Sequence, residues 1–114
     1  MVKVKIDLSL FKEIEKKFKG ESHKIIDLME SLEENPRKGK LLGIVGGIVI
    51  KEIRYSSFRF YFIADGHKLK FVNEATLTDL LIRFVRMSDK KNQQKTIDEI
   101  KKILTNFGPK GFDN

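Results

Sequence analysis

The chain has 114 residues, 13.2 kDa, 40% hydrophobic residues and nine Phe, enough for one domain with a real core. It carries 23 Lys+Arg against 16 Asp+Glu, a net +7, and no Cys, which excludes disulfides and thiolate metal sites and suits a reducing, cytoplasmic setting. No apolar run approaches the ~18 residues of a membrane span, and "VKVKI" after Met1 is a strand pattern, not a signal peptide.

The basic excess is uneven. Residues 1–43 hold 10 basic and 8 acidic side chains, and residues 44–114 hold 13 and 8. Such a bias favours a polyanion or an acidic protein as partner. The plain alternative is a lysine-rich surface that serves solubility.

In chain order, Val2, Val4 and Ile6 alternate with Lys3 and Lys5, which predicts a half-buried strand. Asp7 or Ser9 can cap a helix with Leu10, Phe11, Ile14 and Phe18 on its apolar face, stopped at Gly20. A second helix begins near Glu21–Ser22, buries Ile25, Ile26, Met29 and Leu32, and ends before Pro36. The short link makes the two an antiparallel pair. "GKLLGIVGG" lacks the Gly-Lys-Ser/Thr of a phosphate loop and reads as a turn into a strand.

Ile48 to Tyr55 and Phe58 to Ala64 are predicted strands joined at "YSS". "ADGH" reads as a hairpin, with Lys68 to Val72 as a returning extended piece. "NEATLTD" is a polar loop, and Leu80 to Met87 a further strand. "TIDE" is a capping box, Thr96 with Glu99, opening a helix that buries Ile97, Ile100, Leu104 and Phe107. The tail, 108–114, is expected to be loose. This order predicts an α+β fold, with helices on one face of a mainly antiparallel sheet. The first strand pairs at an edge or beside a later strand.

Order and motifs together resemble the RelE/HigB-like toxins of toxin–antitoxin systems. "LMESLEENPRKGKLLG" looks like that superfamily's helix with its "P…G…L.G" sequel. "IKEIRYSSFRFYFIADGHKL" is similar to its strand pair with an "R…YR..Y…D" pattern. "DKKNQQKTIDEIKKI" is similar to the HigB-type "KK.QKTP..EI..A" ending, with one extra residue and Ile97 where Pro is usual. The resemblance implies a RelE-like fold with the helical hairpin across one sheet face and the last helix at its side. It also implies an endoribonuclease that cuts ribosome-bound mRNA without cofactor or metal. An acidic or helix-turn-helix antitoxin would silence it.

Within the resemblance, Arg59 matches the Arg of "YR..Y", and Arg54 the basic position near the end of the preceding strand. Strand alternation independently puts Arg54 with Glu52, and Arg59 with Tyr61, opposite the row of Phe58, Phe60 and Phe62. Metal-free RNA cleavage needs a base for the 2′-hydroxyl, a cationic hold on the phosphate and an acid for the 5′-oxygen. Arg54 and Arg59 suit the hold, and Arg86, Lys90, Lys91 and Lys95 can add to it. Glu52 and Asp89, and after them His67, are the candidates for proton transfer. His67, in a turn, and His23, at a helix start, read as ordinary histidines, and their spacing offers no metal site. Glu52 stands where some relatives have a catalytic Lys, and the chain's two tyrosines, Tyr55 and Tyr61, both lie in the strand pair.

Three alternatives stay open. One is a non-catalytic member of the same fold that binds nucleic acid, or a protein as the ParE-like branch is understood to bind gyrase. Another is a basic α+β module unrelated to toxins. In the plainest reading of the arginines, Arg54–Glu52 or Arg59 with a carboxylate is an ion pair on an exposed sheet face.

Overall fold

A computed structural model describes residues 1–72 and 79–113. The expected loop at 73–79 lies almost wholly outside them. The elements in order are β1 (Val2–Ile6), α1 (Leu8–Phe18), α2 (Ser22–Glu30), β2 (Lys40–Val45), β3 (Ile48–Tyr55), β4 (Phe58–Asp65), α3 (Gly66–Phe71), β5 (Leu80–Asp89) and α4 (Gln93–Phe107). The fold is α+β, and its five-stranded sheet runs β1-β5-β4-β3-β2. It is mixed: β1 lies at an edge, parallel to β5, and the other three pairings are antiparallel. Among the described residues no helix is long and apolar enough to cross a membrane.

The helical hairpin closes one face. Leu10, Ile14, Ile25, Met29 and Leu32 meet Val49, Ile53, Phe60, Phe62 and Phe84 there. Phe18 stands edge-on to Phe58, ring centroids 5.1 Å apart, as the sequence pattern anticipates. Phe11 is only half-buried.

The second face is not open. Ile97, Ile100 and Leu104 of α4 pack on Ile50, Tyr61, Ile63 and Val85. The last helix therefore covers the face opposite the hairpin instead of lying beside it. A bulge in β5 prepares this contact. Tyr61 faces Arg86 and Phe62 faces Phe84, so Val85 is the extra residue, and Phe84 and Met87 both reach the hairpin side.

Several local expectations give way to capping and turn chemistry. The glycine-rich stretch is itself strand β2, followed by a two-residue turn at Gly46 and Gly47 with φ of 56° and 81°. Side chains avoid that pair of angles, and glycine accepts them. Lys68 to Val72 is not extended. The Asp65 side chain accepts a hydrogen bond from the Lys68 amide at 3.0 Å and starts α3 instead. Asp7 precedes α1 but does not cap it, because its carboxylate is taken by Arg83 at 2.6 Å. Helix α4 begins at Gln93, three residues before the expected cap. Thr96 is inside it, bonded back to the Asn92 carbonyl.

Residues 108–113 of the tail pack back on the fold. Gly108–Phe112 forms a 3-10 turn that returns Phe112, 7% exposed, to the second core, while Phe107 is 71% exposed. Arg83 ties Asp113 at 2.7 Å as well as Asp7, joining the two ends of the chain. Phe112→Ala should therefore lower stability by about 3 kcal/mol in urea unfolding, as for a buried Phe. A loss under ~0.5 kcal/mol, usual for surface changes, would show a loose tail after all.

Candidate functional site

Strand register alone assembles a polar group on the α4 side of the sheet. Arg54 lies directly opposite Arg59, and Glu52 opposite Tyr61. On β5, Ser88 lies opposite Arg59 and Arg86 opposite Tyr61. The expected segregation from the Phe58, Phe60 and Phe62 row is present. The expected exposure is not, since Glu52 is 2% exposed and Arg59 6%.

Glu52 Oε2 accepts from Arg54 Nε at 3.0 Å, while Glu52 Oε1 has no partner. Arg59 Nη1 donates to the Ser57 carbonyl at 3.1 Å, while its buried Nε–H has no acceptor. The plain Arg54–Glu52 pair thus exists, but its carboxylate is buried. One carboxylate faces two guanidinium groups, so the group holds an excess positive charge. Like charges directly opposite each other on neighbouring strands repel, and buried polar atoms without partners cost about 1–3 kcal/mol each. An anion entering beside Arg54 and Arg59 would relieve the repulsion.

A short hydrogen-bond chain borders this group. The Tyr61 and Ser88 hydroxyls are 2.7 Å apart, and Ser88 Oγ donates to the Asp89 carbonyl at 2.9 Å. Ser88 has one hydroxyl hydrogen, so the phenol is the donor between the two. Burial above all, and the Glu52 charge after it, raise the Tyr61 pKa and keep the phenol protonated.

At the β2 edge, Lys40 lies opposite Glu52. A cleft of about 260 Å³ there is lined by Lys38, Gly39, Lys40, Glu52 and Arg54, among others. Gly39, at φ 107°, passes so close to the Glu52 carbonyl that a Cβ would lie 2.9 Å from that oxygen. Lys38 and Lys40 are carried to the cleft on either side of it. Sequence reasoning missed both, although "PRKGK" is visibly a cationic run. It also did not assign a role to Ser88.

Other expected site residues stand apart. Arg86 Nε donates to Glu99 at 2.6 Å and Nη1 to the Val85 carbonyl at 2.8 Å, with its guanidinium 5.2 Å from the Phe112 ring centroid. It is committed to the C-terminal packing. Asp89 Oδ1 accepts from both the backbone and side-chain nitrogens of Asn92, at 2.8 and 2.9 Å, and so organises the start of α4. Lys90, Lys91 and Lys95 are exposed around that start. His67 sits in α3 past the far end of β4, about 20 Å from Arg59 at ~3.3 Å per strand residue, edge-on to Phe71. His23 is exposed on α2. Among the described residues no three His, Asp or Glu gather to hold a metal ion.

Set against protein-family models, characterised proteins and solved structures, the chain finds no significant match to any.

The two bonds from Asn92 hold the Asp89 carboxyl below its usual pKa, the backbone bond foremost. With the folded value depressed, the contribution of Asp89 is fully present above the unfolded pKa of ~3.9 and is lost as pH falls through the folded value. The Asn92 amide resonance should therefore titrate with a midpoint below ~3.9. A midpoint at or above that value would mean the cap does not form.

Proposed function

We propose that the chain is a toxin of the RelE/HigB-like kind, an endoribonuclease that cuts ribosome-bound mRNA without a metal. The observation that carries this reading is the buried Glu52 carboxylate with one unpartnered oxygen, bonded to Arg54 with Arg59 opposite on the neighbouring strand, next to a cleft that Lys38 and Lys40 help to line. The strand, helical hairpin, antiparallel strands and closing helix also follow the order on which the resemblance rests.

In the proposed reaction Glu52 Oε1 takes the proton of a 2′-hydroxyl. The resulting oxygen attacks the adjacent phosphorus, and the bond to the 5′-oxygen breaks. Arg54 and Arg59 hold the phosphate and meet the charge that builds up on it. The leaving 5′-oxygen takes a proton, leaving a 2′,3′-cyclic phosphate and a 5′-hydroxyl. Tyr61, protonated and opposite Glu52 on the neighbouring strand, has the chemistry to supply it. Lys90, Lys91 and Lys95 would steer the RNA by charge. A +7 chain suits an acidic antitoxin that folds as it binds.

The test is cleavage of mRNA in a translating extract containing the protein, with product ends mapped. Per folded molecule, checked by circular dichroism, Arg59→Ala should lose about 100-fold in turnover, as for one lost oxyanion donor. Arg59→Lys should recover part of it, because an ammonium lacks the two-pronged contact. Glu52→Gln should be inactive while keeping a hydrogen bond to Arg54. Full activity in Arg59→Ala would make Arg59 a packing residue and remove the reading.

A second reading is a non-catalytic protein of the same kind, which binds a protein or nucleic acid without cutting. Its specific support is that Arg86 and Asp89 are consumed by Glu99 and Asn92, and that the Tyr61 proton is directed at Ser88. Salt separates its two versions. Binding to RNA through several phosphates should weaken steeply, as a power of salt concentration, between about 50 and 200 mM. A flat response would point to a protein partner.

A further inference from the structure

A second cationic cleft lies on the other side of the "PRKGK" run, and neither the resemblance nor the proposed reaction uses it. It measures about 240 Å³, and its lining includes Arg37, Leu41, Val49, Lys51, Leu69 and Lys70. Lys51 is 7% exposed, on the hairpin side of β3. Its ammonium donates to the Arg37 carbonyl at 2.9 Å and lies 5.9 Å from the Phe62 ring centroid. Arg37 Nη2 donates to the Lys70 carbonyl at 2.7 Å. Among the described residues no carboxylate forms an ion pair with any of the three cations.

A purely structural tie between the 34–39 segment and β3 would need one donor and no charge. Here a charge is buried, a second cation stands beside it, and both keep unused N–H donors. Burial, and then the Arg37 charge, push the Lys51 pKa below the usual lysine value. The arrangement is costly when empty and is relieved by an anion. The neighbouring cleft contains Glu52 to balance its cations, and this one has no such group.

We propose that Arg37, Lys51 and Lys70 form an anion site for a phosphate group, held by charge-assisted hydrogen bonds from Lys51 Nζ and the Arg37 guanidinium. The phosphate can be a free ion or a unit of an RNA backbone. The site does not depend on whether RNA is cut at Glu52.

Calorimetric titration of the full chain with inorganic phosphate, against chloride at constant ionic strength, tests this. Wild type should bind one phosphate. Lys51→Met should abolish binding and melt higher than wild type in chloride, because a buried charge is exchanged for an apolar chain of similar length. Arg37→Gln, at an exposed position that leaves the fold intact, should weaken binding about tenfold, as for one charged hydrogen bond. Lys12→Gln, on exposed α1 surface, should bind as wild type does. Failure of wild type to bind phosphate, or equal binding by all four proteins, would overturn the site. A second arm titrates a short RNA without terminal phosphates. If Lys51→Met and Arg37→Gln lose RNA affinity along with phosphate binding, the site takes the backbone. If they lose phosphate binding alone, it takes the free ion.

Discussion

Burying the Glu52 carboxylate between Arg54 and the interior of the sheet is the constraint on which much of this structure depends. Its neighbours on that face are Ile50, Tyr61, Ile63 and Val85, an apolar set that cannot solvate a charge. The group holds only as a whole. Without Glu52, Arg54 and Arg59 would face each other across two strands with nothing between them. Without Arg54, the carboxylate would lose its one hydrogen bond. Register is fixed for the same reason. A slip of one residue in β4 would send Arg59 into the hairpin core and bring Phe58 or Phe60 to the charged side. The Tyr55–Phe58 turn, with Ser56 at φ 57°, sets that register from its closed end.

The second constraint is that the sheet has two covered faces. Helix α4 supplies an apolar stripe to the face that carries the charges, and the tail extends this cover through Phe112. Arg83 and Arg86 flank Phe112, at 5.9 and 5.2 Å from its ring centroid, and each is held by a carboxylate from the C-terminal part of the chain. Arg83 also binds Asp7 through both carboxylate oxygens, at 2.6 and 3.2 Å. The chain ends are thereby fastened to the middle of β5. Two arginines that look like surface cations in the sequence are fixtures of the packing.

What could be read from sequence follows what is periodic. The helical hairpin and the Phe row were legible because their apolar residues recur at helical and strand spacing, and the same alternation placed Arg59 and Tyr61 together. Strand β2 was not, because its glycines and the irregularity between Leu41 and Gly43 break alternation. Helix α3 was hidden because "ADGH" serves a hairpin or an Asp-capped helix equally well. Periodicity identified the buried stripe of α4, but it does not say which sheet face receives the stripe. That missing fact made Arg59 look exposed. Phe112 stands alone after a Gly-Pro pair and has no period at all. At the site, the Glu52–Arg54 pair was legible as an i, i+2 contact. Lys38 and Lys40 were not, since only the backbone turn at Gly39 brings them to Glu52.

These placements also change what the charge of the chain means. By count, the basic excess belongs to residues 44–114. In space, Arg54, Arg83 and Arg86 are neutralised by Glu52, by Asp7 and Asp113, and by Glu99. Cations that line clefts without such partners include Arg37, Lys38 and Lys40 from the short run before β2, and Lys51 and Lys70. The run divides between Arg37 and Lys38, so that Arg37 lines the Lys51 cleft and Lys38, Gly39 and Lys40 line the Glu52 cleft. Under the proposed function, a polyanion would meet these cations near the β2 edge and not over the centre of the sheet, which α4 occupies. It is also at this edge that Glu52 has its cleft. In the proposed reaction, RNA drawn to this edge would have to reach a carboxylate oxygen that lies buried beside it.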